Sequence, residues 1–279
     1  PYTTLFRSNV FSDPGLGSAR MSEKKVTIKD VARAAGVSIA TVSRVLNKNY
    51  FVSPDIEDKV RSAVAATGYY PDSIARSLKN NRSLLIGFVV SDIANRYFAN
   101  MAKAIMEVIR AQNFNLIVCS TQMDRKKEQD YLETLVSLKI SGIIVNATGE
   151  NDELIASISR HTPVTLIHRR TRSAGFLGDF VDSDNARGAY ELARHILSRG
   201  HRKVGIILGY LSISTARERL DGIRRAFGEA GVPFDEDDIF YGDFTEECGY
   251  LGAEALMTRP DRPTVILAMN NAVILGALR

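Results

Sequence analysis

The chain has 279 residues, 45% of them hydrophobic and 24% charged, with a formal net charge of +4 at pH 7. That length suits one small module plus one or two larger ones, with a core that needs no disulfide or metal staple. No apolar run is long enough to span a bilayer, and no charged region followed by an apolar stretch and a cleavage site opens the chain. The expectation is therefore a cytoplasmic protein with no membrane contact. Cys119 and Cys248 stand far apart and outside any CxxC pattern, which reads as two buried thiols in a reducing compartment. The charge is unevenly spread. Residues 21–82 carry 11 Lys/Arg against 6 Asp/Glu, whereas residues 83–279 carry 23 against 25. An excess on one module fits a polyanion partner, although a solvated basic surface would look the same.

Residues 1–20 have no helical or strand period and are rich in Ser, Gly and Pro. They read as a non-native or disordered tail, and the opening PYTTLFRS resembles translated sequencing-adapter sequence. Within residues 25–70 the local signals are dense. Thr27 precedes Ile28, Val31, Ala32 and Ala35, an i, i+3, i+4, i+7 pattern that predicts a helix with Thr27 as N-cap and Asp30 in its first turn. Gly36 supplies the left-handed residue that ends it. Ser38 is a second cap, before Val42, Val45 and Leu46 on one face. Two short helices joined by a glycine turn predict a helix-turn-helix. A third helix starts at Ser53-Pro54, a cap followed by an N1 proline, and stops at Gly68.

The second helix presents Ile39, Ala40, Ser43 and Arg44 opposite its apolar face. Such a helix fits the major groove, where an arginine can bind guanine O6 and N7 together. Thr41, Asn47 and Lys48 suit phosphates, which position the protein without specifying sequence. Residues 71–82 form a hinge in which Asp72 or Ser73 can cap a segment too short to be a stable isolated helix.

From residue 83 onward, short apolar runs alternate with amphipathic stretches. The runs are 84–90, 115–120, 142–147, 164–168, 203–208, 239–241 and 264–269. The helical stretches are 97–112, 126–138, 186–199, 216–230 and 246–257. This order predicts parallel strands covered on both faces, the doubly wound α/β class. Asp182-Ser183-Asp184-Asn185 interrupts the pattern, so the expectation is two lobes, 83–183 and 184–279. The last residues, NNAVILGALR, stop inside an apolar helical pattern, and the second lobe is expected to be incomplete. Ligands of such sheets bind beyond the carboxyl ends of the strands. Those positions hold Asp92, Asn95, Thr121, Asp124, Asn146, Thr148, His168, Arg169, Asp243, Phe244, Asn270 and Asn271, and a helix start past Gly209 brings Arg217 and Arg219.

Six strings carry a family resemblance. VTIKDVARAAGVSIATVSRVLN (residues 26–47) and VSPDIEDKVRSAVAATGYYPDSIARSLKNNRSLLIGFVV (residues 52–90) closely resemble the head, hinge and first core strand of the LacI family of bacterial transcription regulators. NRYFANMAKAI, DSDNARGAYELARHILSRGHRKVGIILG, STARERLDGIRRAF and NNAVILGALR resemble its core, which is similar to periplasmic sugar-binding proteins. The resemblance covers nearly everything after Lys25. It implies a homodimer that binds a pseudo-palindromic double-stranded operator, controlled by a small sugar-like effector, with no cofactor and no metal. By resemblance Ile39, Ala40 and Arg44 read bases, Thr27, Ser38, Thr41, Ser43 and Asn47 complete the DNA contacts, and Leu78 wedges into the minor groove with Lys79 beside it. Tyr97, Phe98, His168, Arg169, Arg219, Phe244 and Asn271 line the effector cleft.

The sequence departs from the family in two places. Asn271 stands where the family commonly has Asp, and His168, followed by Arg169 and Arg170, stands where Asp is frequent. Both changes make the cleft more positive and point to an anionic effector, a sugar acid or a phosphorylated sugar. No GxGxxG after a strand, P-loop, GxSxG or HExxH occurs, so an enzyme is not expected. The alternative is a ligand sensor without sequence-specific DNA binding, against which Arg44 and Leu78 stand.

Overall fold

The computed structural model describes residues 26–47, 50–70 and 83–279. The tail at 1–20 and the hinge with Leu78 and Lys79 lie outside them, as does the side chain of Asn47. The chain divides into two compact units, Pro1–Ser73 and Ile74–Arg279, and each is taken by itself.

The first unit holds three helices, α1 (Ile28–Ala35), α2 (Ile39–Asn47) and α3 (Pro54–Thr67). Asp30 accepts from the backbone N–H and the hydroxyl of Thr27, closing the first turn of α1. Gly36 ends that helix at φ 65°, and Gly68 ends α3 at φ 64°; both lie in the left-handed region that glycine enters without cost. Pro54 occupies the first turn of α3, where its missing N–H is no loss. Val31, Ala32, Val42, Val45, Val60 and Ala63 are buried against one another. A core this small leaves little margin, since a fully buried valine contributes only about 1.5–3 kcal/mol.

The second unit contains two sheets. The first has the order β2-β1-β3-β4-β5, all parallel, from β1 (Leu85–Val90), β2 (Asn115–Ser120), β3 (Gly142–Val145), β4 (Val164–Ile167) and β5 (Asp179–Val181). The helices α4 (Arg96–Arg110), α5 (Arg125–Ser137) and α6 (Asp152–Ser159) connect β1 through β4. The second sheet, β7-β6-β8, is also parallel, from β6 (Val204–Gly209), β7 (Ile239–Gly242) and β8 (Val265–Ala268). Around it lie α7 (Asn185–Ser198), α8 (Ser214–Glu229), α9 (Glu246–Met257) and α10 (Asn271–Ala277).

All six residues of β6 are buried, as a central parallel strand requires. The chain leaves the first sheet after Val181 and enters the second lobe at α7, so the crossover is the acidic-polar stretch Asp182–Asp184. Two elements were not among the expected ones: β5, which is three residues long, and α6. Among the described residues, no helix is long and apolar enough to cross a membrane.

Candidate functional site: an exposed recognition helix and a charged cleft

In the first unit, α2 buries Val42 and Val45 and exposes Ser38, Ile39, Ala40 and Arg44 at its start and outer side. Ser38 caps the helix by accepting from the Thr41 N–H at 3.1 Å, and the two hydroxyls lie 2.9 Å apart. Thr41 and Ser43 are half-buried, and Thr27 is exposed at the start of α1. Ile39 is 45% exposed, an apolar side chain that the head does not use for its own packing. The helix therefore offers one outward ridge with an apolar tip and a cation, at the diameter that a major groove admits.

In the second unit, residues at the carboxyl ends of the two sheets meet one another, Asn95 with Asn271 and Arg169 with Phe244. From the first lobe, Arg169 is only 6% exposed. One of its terminal nitrogens donates to the Ala147 carbonyl at 3.0 Å and approaches the Met123 sulfur at 2.9 Å. Its guanidinium lies 5.4 Å from the centroid of the Phe244 ring of the other lobe. Its Nε is buried without a hydrogen-bond partner, as are Thr121 Oγ1 and Asn146 Oδ1 at the neighbouring strand ends. Burial lowers the Arg169 pKa to about 10. Glu128, fully buried, lies near enough to favour the charge, but its oxygens are taken by Thr148 N, Thr148 Oγ1 and Asn151 Nδ2 at 2.7–2.8 Å.

His168 follows β4 at φ 66°, a left-handed conformation unusual for a non-glycine residue. Its surroundings hold it there: Nδ1 lies 3.1 Å from Asp182 Oδ1, and its ring is 5.3 Å from that of Tyr97. Burial and Arg219 push its pKa below the ordinary value, against the pull of Asp182. Burial likewise raises the Tyr97 phenol.

Arg219, on α8, places Nε and Nη2 on Asn185 Oδ1 at 3.2 and 2.9 Å and Nη1 on the Met269 carbonyl at 2.5 Å. Burial lowers its pKa too. Asn185 spends its other end on Asp182 and Glu218, both at 3.0 Å, so the lobe crossover and the arginine share one amide. Asn271 faces Asn95 across the lobes, and the two amides exchange hydrogen bonds at 2.8 and 3.2 Å. The Arg170 N–H donates to Ser214 Oγ at 3.2 Å, and Arg172 donates to the Ser212 carbonyl at 2.7 Å.

The structure thus brings Tyr97, His168, Arg169, Arg219 and Phe244 into one neighbourhood at the strand ends, with Asn271 in a lobe-to-lobe bridge. Phe98 packs instead with Phe88, Val90, Ala102 and Ile167 in the core under the sheet, its edge against Tyr97. Arg217 is exposed and donates to the Leu211 carbonyl. Asn185 and Glu128 were not among the candidate ligands. Asn185 belongs to the polar stretch that interrupts the pattern and Glu128 to the 126–138 helical stretch, and single-sequence pattern carries no sign that either is buried. Among the described residues, no group of three or more His, Cys, Asp or Glu could hold a metal ion.

Comparison with known proteins decides the family. The model of bacterial regulatory proteins of the lacI family matches residues 27–72. That of periplasmic binding proteins and the sugar binding domain of the LacI family matches residues 83–279. This chain belongs to the LacI family. Among its relatives, a protein of Photobacterium profundum named HTH-type transcriptional repressor PurR is 33% identical over 90% of this chain and 75% of its own length. The repressor of the same name from Haemophilus influenzae is 35% identical over the same shares. A crystal structure of the Lac repressor dimer bound to operator and the anti-inducer ONPF matches with a TM-score of 0.77 and 26% identity, over 92% of this chain and 77% of that one. The LacI-family chain therefore pairs a DNA-binding helix-turn-helix head with a ligand-binding α/β core, as transcriptional repressors do.

Proposed function

We propose that this LacI-family regulator binds a pseudo-palindromic operator as a homodimer and that a small anionic, sugar-like effector in the core cleft controls the affinity. In the head, α2 lies in the major groove, with Ile39, Ala40 and Arg44 at base edges. Thr27, Ser38, Thr41, Ser43 and Asn47 meet the backbone, and two-fold symmetry of the dimer makes the operator nearly palindromic. Leu78 and Lys79, outside the described residues, act at the minor groove as the family resemblance implies. The core binds its ligand without transforming it.

The observation that carries the effector class is Arg169. A guanidinium buried to this degree costs free energy unless an acceptor meets it. The nearby carboxylates are spent on their own donors: Glu128 on Thr148 and Asn151, Asp182 on His168, Ser183 and Asn185. The unpaired Nε–H of Arg169, with the Tyr97 and Phe244 rings nearby, suits a ring bearing a carboxylate or phosphate. Ligand bound to both lobes shifts their relative placement, and operator affinity follows by linkage.

Calorimetric titration with D-gluconate, glucose 6-phosphate and glucose tests the effector class. At least one of the two anions binds tighter than glucose, and Arg169→Met weakens it by about 2–5 kcal/mol, the cost of stripping a buried charge of its partner. Tight binding of the neutral sugar alone removes the anionic reading while leaving the cleft in place.

A further inference from the structure

We propose that Tyr50 is a specificity-determining positioning residue: its ring carries the Arg44 guanidinium and holds it for base reading. The inference rests on the base-reading role proposed above for Arg44. The guanidinium carbon of Arg44 stands 5.6 Å from the centroid of the Tyr50 ring, within reach of a cation–π contact. Tyr50 lies just beyond the end of α2 and is 72% exposed. It takes no part in the apolar cluster that packs the three helices, so core burial does not account for where its ring lies.

The geometry suits recognition. An aromatic ring engages the face of a guanidinium and leaves its edge open. Guanine is read by that edge, through two parallel donors to O6 and N7. The two contacts are compatible, and the first removes freedom that the second would otherwise have to freeze. Arginine on an exposed helix face has many rotamers, so restricting them before DNA arrives favours the bound state. A competing role for Tyr50 is simpler: its hydroxyl donates to a phosphate, which adds affinity on every sequence and discrimination on none. The two roles use different parts of one side chain and separate cleanly by substitution.

The experiment uses the full chain and a pool of randomised duplexes. The wild type selects its preferred site, and each guanine of that site is replaced in turn to find the one on which Arg44→Met has its effect. The discrimination ratio at that base pair, and affinity for unselected duplex, are then measured for Tyr50→Phe, Tyr50→Leu, Arg44→Met and the Arg44→Met/Tyr50→Leu double variant. Tyr50→Phe keeps the ratio. Tyr50→Leu lowers it about two- to fivefold, the range of an exposed cation–π contact, leaves affinity for unselected duplex unchanged, and has no further effect when Arg44 is already gone. Thermal unfolding of each variant reports that the head remains folded.

The inference is overturned by a Tyr50→Leu ratio equal to the wild type, by a loss common to all sequences, or by an undiminished effect in the Arg44→Met background. Where Arg44→Met flattens the preference and Tyr50→Leu does not, this inference alone falls. Where Arg44→Met changes no base pair, the base-reading role of Arg44 falls and the inference with it.

Discussion

Arg169 and His168 adjoin one another in sequence and test the cleft in opposite ways. Arg169 is a charge held in a dry place with Nε unsatisfied, so the ligand-free protein bears a cost for it. Replacing a buried charge by an apolar side chain of similar length is often neutral or stabilising. In urea unfolding, Arg169→Met should gain about 1 kcal/mol without ligand, the low end of that range, and should lose the stabilisation expected of the wild type in millimolar gluconate or glucose 6-phosphate under the proposed effector class. A marked loss of stability in the ligand-free variant would make Arg169 a structural strut. For His168, burial and Arg219 lower the pKa below 6.5. The unfolded chain then takes up a proton as pH falls through that value while the folded chain does not, so stability is full above it and declines below. His168→Gln flattens the urea midpoint between pH 7.5 and 5.5 relative to the wild type; an unchanged difference between the two pH values would assign the slope to other groups. The residue types of the cleft were legible because ligands of doubly wound sheets sit at strand ends, which can be read off the alternation. Burial was not, and it separates Phe98, which faces the core, from Tyr97, which is 40% exposed beside it.

At the scale of elements, the close approach of α7 and α8 depends on a glycine. A Cβ at Gly222 would stand 2.1 Å from the Ala186 carbonyl oxygen, a backbone atom that cannot swing aside. Gly228, on the same helix, would meet nothing within 4 Å. Gly222→Ala should therefore cost about 1–3 kcal/mol by overpacking, and Gly228→Ala should gain up to about 1 kcal/mol from helix propensity. Equal effects in thermal unfolding would contradict this packing. The head's helices were readable from apolar period bounded by caps: Thr27, Ser38 and Ser53 open them, and Gly36 and Gly68 close two of them. The core was readable by period, with two omissions that have physical causes. β5 spans three residues, too few for alternation to register. α6, DELIASIS, is eight residues long and buries Ile155, Ala156 and Ser159 without a long apolar stripe. The 164–168 run extends one residue past β4, because the left-handed backbone of His168 that ends the strand leaves no mark in the sequence.

At the scale of the whole molecule, the division of labour was written in charge and period. The basic excess lies in residues 21–82, and the sheet-and-helix alternation begins only after them. What the pattern could not show was how the lobes join. The amide exchange of Asn95 with Asn271, and the hold of Asn185 on Arg219, link residues 176 and 34 positions apart. The most direct test of the account is binding of the chain to genomic DNA fragments at several salt concentrations, with Arg44→Ala alongside. The account predicts enrichment of one short pseudo-palindrome and affinity that falls steeply with salt as phosphate contacts are screened. It also predicts that Arg44→Ala costs about 1–3 kcal/mol of discrimination at one base pair of each half-site. A folded dimer that binds all fragments alike at every salt concentration would contradict it.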